Sequence, residues 1–205
     1  MRNIFFILLL FTYFQNFAKA EETNFEIEGI SVGESLLKYF SKNDILSEIK
    51  SEFIYVYPKS NYIKLGIGSG EEFFLKKKIE NYDQISVTID KKDNNYIIHS
   101  VSGNIYCERS IDVCLSKQKT IVSDLNDVYG DSISLNKWKQ PHLVDKSNKS
   151  IVHGIDIKFL NSDDQIAVNV YDWSTEFNKV KNWNDRLGLS IHSKKFQKYL
   201  MNWPD

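Results

Sequence analysis

The chain has little of what staples or punctuates a fold: two cysteines, three prolines and nine glycines in 205 residues. With no Ser/Gly/Pro-rich run, nothing marks a linker and no composition shift divides the chain. The cysteines, Cys107 and Cys114, stand at C-x6-C. That is too few ligands, too widely spaced, for zinc, and it is not the C-x-x-C of a redox motif. Basic charge is not in excess. Lys plus Arg number 26 against 27 Asp plus Glu, so nothing is available to hold a phosphate backbone and no nucleic-acid partner is expected. The run Lys76-Lys77-Lys78 is hemmed by Glu71, Glu72, Glu80 and Asp83 and reads as a solvated face. No G-x-S-x-G elbow and no H-E-x-x-H occur.

Long apolar stretches are also scarce, and the one present is informative. Arg2 gives a positive start, Ile4 to Phe14 are apolar, and Gln15 and Asn16 interrupt the run. Ala18-Lys19-Ala20 is an A-x-A site and Glu21-Glu22 opens a polar segment. This is the pattern of a secretory signal peptide, residues 1–20, cleaved between Ala20 and Glu21. The apolar run is short for a membrane span, which needs roughly twenty apolar residues. The protein is therefore expected to be exported, periplasmic or secreted, with no transmembrane segment in its mature chain. Losing Arg2 and Lys19 leaves 24 basic against 27 acidic residues, a net charge of −3. In an oxidising compartment Cys107 and Cys114 are expected to pair as a disulfide. The alternative is two buried thiols, because Cys114 also falls on the apolar face of a helix.

That helix is the clearest element. Ile111, Cys114, Leu115, Ile121, Val122, Leu125, Val128 and Tyr129 recur at three, four and seven. Ser110 can cap its start and Gly130 can stand at its C′ position. Ser31-Val32-Gly33-Glu34 reads as a capping box for a first helical region over 32–49. Ser193 begins a last helix, over 194–203. Strands are expected at 53–57, 61–67, 84–90 and 96–106, and again around Ile155-Ile157-Phe159, Ile166-Val168-Val170 and Leu187-Leu189-Ile191. The glycines at 66, 68 and 70 lead into Glu71-Glu72 and read as a turn, not a phosphate loop. The acids of 90–95 do not make a calcium loop, since its twelfth position is Val101. Residues 131–152 are polar and read as a loop. The expected fold is α+β. An antiparallel sheet of hairpins and a meander is covered on one face by about three helices. Residues 21–205 form one domain, with two similar lobes, about 21–130 and 131–205, as an open alternative.

Candidate chemistry is sparse. His142, Asp145, His153 and Asp156 form H-x2-D-x7-H-x2-D, but loop and strand placement argue against a metal site. Histidines on the surface are the default reading. Tyr171-Asp172-Trp173, at a strand end, can either present aromatics to a ligand or close a core edge. No catalytic, cofactor-binding or metal-binding residue is assigned. Four segments, Phe25 to Gly33, Tyr82-Asp83, Asp145-Lys146-Ser147 and Tyr171-Asp172-Trp173, together resemble a family of uncharacterised small exported bacterial proteins. The resemblance implies no activity and supplies no catalytic residue. The opening Gly29-Ile30-Ser31-Val32-Gly33 also resembles small envelope-assembly lipoproteins, but this longer chain lacks their lipid-attachment cysteine. The reading leans to a non-catalytic exported protein that binds an envelope protein or a small ligand. The alternative is an exported hydrolase whose site assembles from dispersed residues.

Overall fold

Alternation of apolar and polar side chains builds most of this molecule. The computed structural model describes residues 25–52, 54–107, 110–160, 165–181 and 183–202; the leader and the Ala20–Glu21 junction lie outside them. A small hairpin comes first, β1 (Glu26–Ile27) and β2 (Ile30–Ser31). Glu28 and Gly29 turn it with φ of 52° and 74°, the positive pair that a two-residue turn needs. After a 3-10 turn at Leu36–Lys38 come α1 (Lys42–Ile49), β3 (Tyr55–Val56), β4 (Tyr62–Ile67), β5 (Gln84–Asp90) and β6 (Ile98–Tyr106). The long helix α2 (Ile111–Tyr129) follows, then β7 (Ile133–Pro141), β8 (Ile151–Phe159), β9 (Gln165–Asp172), α3 (Thr175–Lys181), β10 (Arg186–His192) and α4 (Lys194–Met201). The larger sheet is eight-stranded, ordered β3-β4-β5-β6-β10-β9-β8-β7. Two antiparallel meanders thus meet at a β6–β10 seam, and the α+β architecture is that expected.

Register fixes two faces. Leu65, Val87, Val101, Ile191, Ile166 and Ile157 align across six strands. Ile67, Ile85, Leu189, Val168 and Ile155 align beside them. This is the apolar face. The β1–β2 hairpin covers part of it through Ile27 and Ile30, and α2 through Cys114 and Val122. Helix α2 packs on β9 and β10. Its buried Gln118 donates through Nε2 to the carbonyls of His153 (2.8 Å) and Val168 (2.7 Å). Cys107 and Cys114 are disulfide-bonded with Cα atoms 5.5 Å apart, tying the end of β6 to the first turns of α2. Ser110 caps that helix by accepting from the Asp112 amide, 3.2 Å.

The structure differs from expectation in four places. The 31–34 capping box does not form. Ser31 ends β2, while Gly33 N and Glu34 O bond the backbone of Ile98 instead. The caps are Ser35 for the 3-10 turn and Ser41 for α1. Residues 133–141, read as loop, are the edge strand β7, whose side chains are mostly exposed on both faces. Nothing alternates in burial there, so its sequence carries no apolar period. Its Lys137, Lys139 and Pro141 are residues that blunt an open edge. Helix α3 lies between the last two expected strands, where no element was expected. Finally, the helices do not share one face. Helix α4 lies on the other, where Phe196 packs on Tyr57 (ring centroids 5.1 Å), Tyr62 (5.0 Å) and His192 (5.6 Å).

Candidate ligand-binding face

The second face of the sheet is polar, and its middle is built of small residues. Four aligned rows cross it. The first runs Lys64, Thr88, Ser100, His192, Gln165, Lys158. The second runs Gly66, Ser86, Ser102, Ser190, Ala167, Asp156. Gln84, Asn104, Gly188, Asn169, Gly154 and Trp138 make the third. Tyr106, Arg186, Tyr171 and Val152 make the fourth. Open sheet faces usually carry long charged side chains. Here Ser86, Ser100 and Ser102 are buried, and Thr88 is 1% exposed. Ser190 donates to Ser102 Oγ at 2.8 Å. Glycine in such a strand marks close approach by something else. The Trp138 ring lies over Gly154, held by its Nε1 donating to Asp156 at 2.9 Å. A side chain at Gly188 would meet Tyr171 Cε2 at 3.2 Å and Asn104 Oδ1 at 3.3 Å.

Two cations stand on this face, on opposite halves of the sheet. Arg186, on β10, lays its guanidinium over the rings of Tyr171 (4.7 Å) and Trp173 (5.6 Å). Lys64, on β4, stands on the first row. Burial pushes the Lys64 ammonium pKa down, and the nearby Arg186 charge adds to this while Tyr171 opposes it. Arg186 is lowered by burial as well, against Tyr171 and Tyr106, but a guanidinium keeps its proton. Among the described residues, no carboxylate lies within ion-pair distance of either cation. The acid on these four rows is Asp156, which Trp138 occupies. His192 is neutral at pH 7. Burial, with Lys64 beside it, pushes it down to about 4, and its Nδ1 stands 2.8 Å from Ser100 Oγ.

Uncommitted polar groups complete the face. Asn169 Oδ1 and Trp173 Nε1 are buried with no hydrogen-bond partner, as is Glu48 Oε1 at the Gly66 end of the second row. Buried polar atoms of this kind cost roughly 1–3 kcal/mol each when left unpaired, and nearly all such groups in folded proteins find partners.

The residues singled out in the sequence fall as follows. His142 packs on Trp173, ring centroids 4.5 Å apart, and is held neutral down to about 4 by burial and the Arg186 charge. Asp145, 4% exposed, accepts from Ser147 N and Oγ (2.9 and 2.7 Å) and from Ser150 N and Oγ (2.9 and 2.6 Å). Those bonds hold its carboxyl far below the usual range, Ser150 first. His153 and Asp156 point to opposite faces of β8. The histidine–aspartate motif is therefore not brought together, and among the described residues no three His, Cys, Asp or Glu groups converge. Tyr171 lines the polar face, while Trp173, 5% exposed, closes the aromatic cluster with Phe177 and Trp183. Gly66 and Gly68 admit the Phe73 ring. Lys78 pairs with Glu80 at 3.1 Å on the surface. His192, by default a surface histidine, is part of the polar face.

Sequence reasoning missed Lys64, Arg186, Asn104 and Asn169. The available signal was the uncharged polar residues at every second position of three neighbouring strands: Ser86 and Thr88, Ser100 and Ser102, Ser190 and His192. No protein-family model, curated protein or solved structure matches this chain, so the family resemblance rests on the four segments that carry it.

Proposed function

We propose that this is an exported, non-catalytic protein that binds an anionic ligand on the polar face of its sheet. The observation that carries the reading is the pair Lys64 and Arg186. Two cations from different halves share one partly desolvated surface, with no carboxylate in reach among the described residues. Burying charge without a counter-charge costs free energy, and an anion between the two offsets that cost with charge-assisted bonds. The leader of residues 1–20 supports export. Helix length and polarity agree with a mature chain that does not cross a membrane by a helix, since no described helix is long and apolar enough.

The Ser100–His192 contact is the feature that favours a hydrolase. It supports that reading weakly: Ser100 is 2% exposed, and among the described residues no carboxylate orients the imidazole.

The test is sulfate binding, followed by calorimetry at low ionic strength on protein recovered from the exporting cell. That protein is expected to begin at Glu21 and to bind sulfate. Lys64→Gln and Arg186→Gln are each expected to weaken binding about tenfold or more, equivalent to about 1.4 kcal/mol, without changing the circular dichroism spectrum. An intact Met1 defeats the export reading. No sulfate binding, or binding by both variants as tight as by the native protein, defeats the anion site.

A further inference from the structure

The polar face offers more than two positive charges, and the surplus describes the ligand. Resting on the anion-binding reading above, we infer that the ligand is an anionic saccharide, a sugar carrying a carboxylate, sulfate or phosphate. The inference begins at Asn169. Its Oδ1 is buried and has no partner, and it stands on the third row between Gly188 and Gly154. A simple anion offers acceptors alone and leaves this atom unpaired. The ligand must therefore bring a hydrogen-bond donor as well as its negative charge.

Two kinds of donor are available to a small anion, an ammonium or a hydroxyl. An ammonium would be repelled by Lys64 and Arg186, which stand on the same face. Hydroxyls carry no such penalty. They also match the floor, because the serine oxygens of Ser86, Ser102 and Ser190 both give and accept hydrogen bonds. Asn104 and Asn169 flank Gly188 on one row, so two carboxamides present donors and acceptors side by side. Rings stand over the neighbouring glycines: Trp138 over Gly154, and Tyr171 beside Gly188. A flat apolar face with a polar rim is what a pyranose ring packs against, and aromatic side chains supply it. Charge, hydroxyl partners and aromatic walls thus occur on one surface, each from a different set of residues. The titratable groups on these rows are Lys64, Arg186, Lys158, His192, Asp156, Tyr106 and Tyr171, and Glu48 of α1 reaches the Gly66 end of the second row. The carboxylates are thus Asp156, whose Oδ2 already accepts from Trp138, and Glu48, whose Oε2 accepts from the Phe74 amide.

The experiment compares sulfate, glucose, glucose 6-sulfate, glucuronate and glutamate by calorimetry on the purified protein at pH 7. Glucose 6-sulfate or glucuronate is expected to bind at least tenfold tighter than sulfate, with glucose and glutamate weaker still. Asn169→Leu, with Asn169→Ser as the milder variant, is expected to remove the advantage of the sugar anion while sulfate binding stays. Arg186→Gln is expected to weaken sulfate and sugar anion together. Sulfate bound as tightly as both sugar anions overturns the saccharide inference and leaves the anion site standing. So does a ratio that neither Asn169 variant changes, or glutamate bound tightest. If no anion binds, both readings fall.

Discussion

His192 shows how one side chain reports on the whole polar face. It sits beside Lys64 and Ser100 and under Phe196, and burial holds it neutral down to about 4, from an ordinary 6.5. Its folded pKa is depressed, so between those values the unfolded chain binds the proton and the folded chain does not. Stability is then intact above pH 6.5 and falls as the solution is acidified toward 4. Between pH 7.5 and 5 the loss from His192 is on the order of 2 kcal/mol. His142 adds to it in the same direction, by less, because part of its ring remains in water. Asp145 acts in a lower window. Its folded carboxyl pKa lies below the ordinary 3.8, so its contribution is lost only as pH falls below that value. Urea denaturation at pH 7.5 and pH 5 is expected to show the drop in the native protein and a smaller one in His192→Gln. Equal slopes in both would mean that the imidazole is solvated.

At the scale of elements, legibility follows burial. Strands β5, β8, β9 and β10 were readable because each carries a run of three alternate apolar residues on one face: in β5, Ile85, Val87 and Ile89 alternate with Ser86 and Thr88. Helix α2 was readable to its ends because Ser110 and Gly130 do the capping that their types suggest. Strand β7 was not, since an edge strand with water on both sides has no reason to alternate. The 31–34 box failed because the capping box is local and the β6 backbone competes for the same groups. The site was invisible for a related reason. Lys64 and Arg186 are unremarkable alone, and only the order of strands across the β6–β10 seam brings them onto one trough.

The β6–α2 junction is where a local prediction and the fold coincide. The disulfide closes a short loop, so in the chain-entropy view it stabilises by about 2–3 kcal/mol. Cys114 is fully buried against the core, and α2 keeps its other contacts on β9 and β10 when the bond is cut. Reduction is expected to lower the melting temperature by roughly 5–10 °C while leaving one cooperative transition. Scanning calorimetry with and without reductant, plus mass spectrometry of unreduced alkylated protein, provides the check. Two alkylated thiols in the unreduced protein, or an unchanged melting temperature, would remove the staple from this account.

For the molecule as a whole, the question is whether its two meanders are separate units. Each is a run of antiparallel strands followed by a helix, and each helix serves the other run. Helix α2 ends the first and packs on β9 and β10 of the second, with Gln118 bonding the backbones of β8 and β9. Helix α4 ends the second and covers Tyr57 and Tyr62 of the first, and Tyr199 donates its hydroxyl hydrogen to the Pro58 carbonyl at 2.8 Å. The exchange happens on opposite faces, so the halves clasp each other from both sides of the sheet. The seam itself pairs β6 with β10 from Tyr106–Arg186 to Ser100–His192. Either half alone would expose that long strand edge and an uncovered apolar or aromatic surface, and would lose the helix that its partner supplies. Residues 25–130 and 131–202 expressed separately are therefore expected to lack a cooperative melting transition and to bind no sulfate, since Lys64 and Arg186 are divided between them. The intact chain is expected to unfold once, with tryptophan fluorescence and far-ultraviolet circular dichroism changing together. A half that melts cooperatively on its own, or an intact chain whose two signals separate, would make the meanders independent lobes and would place the ligand trough at a boundary between them.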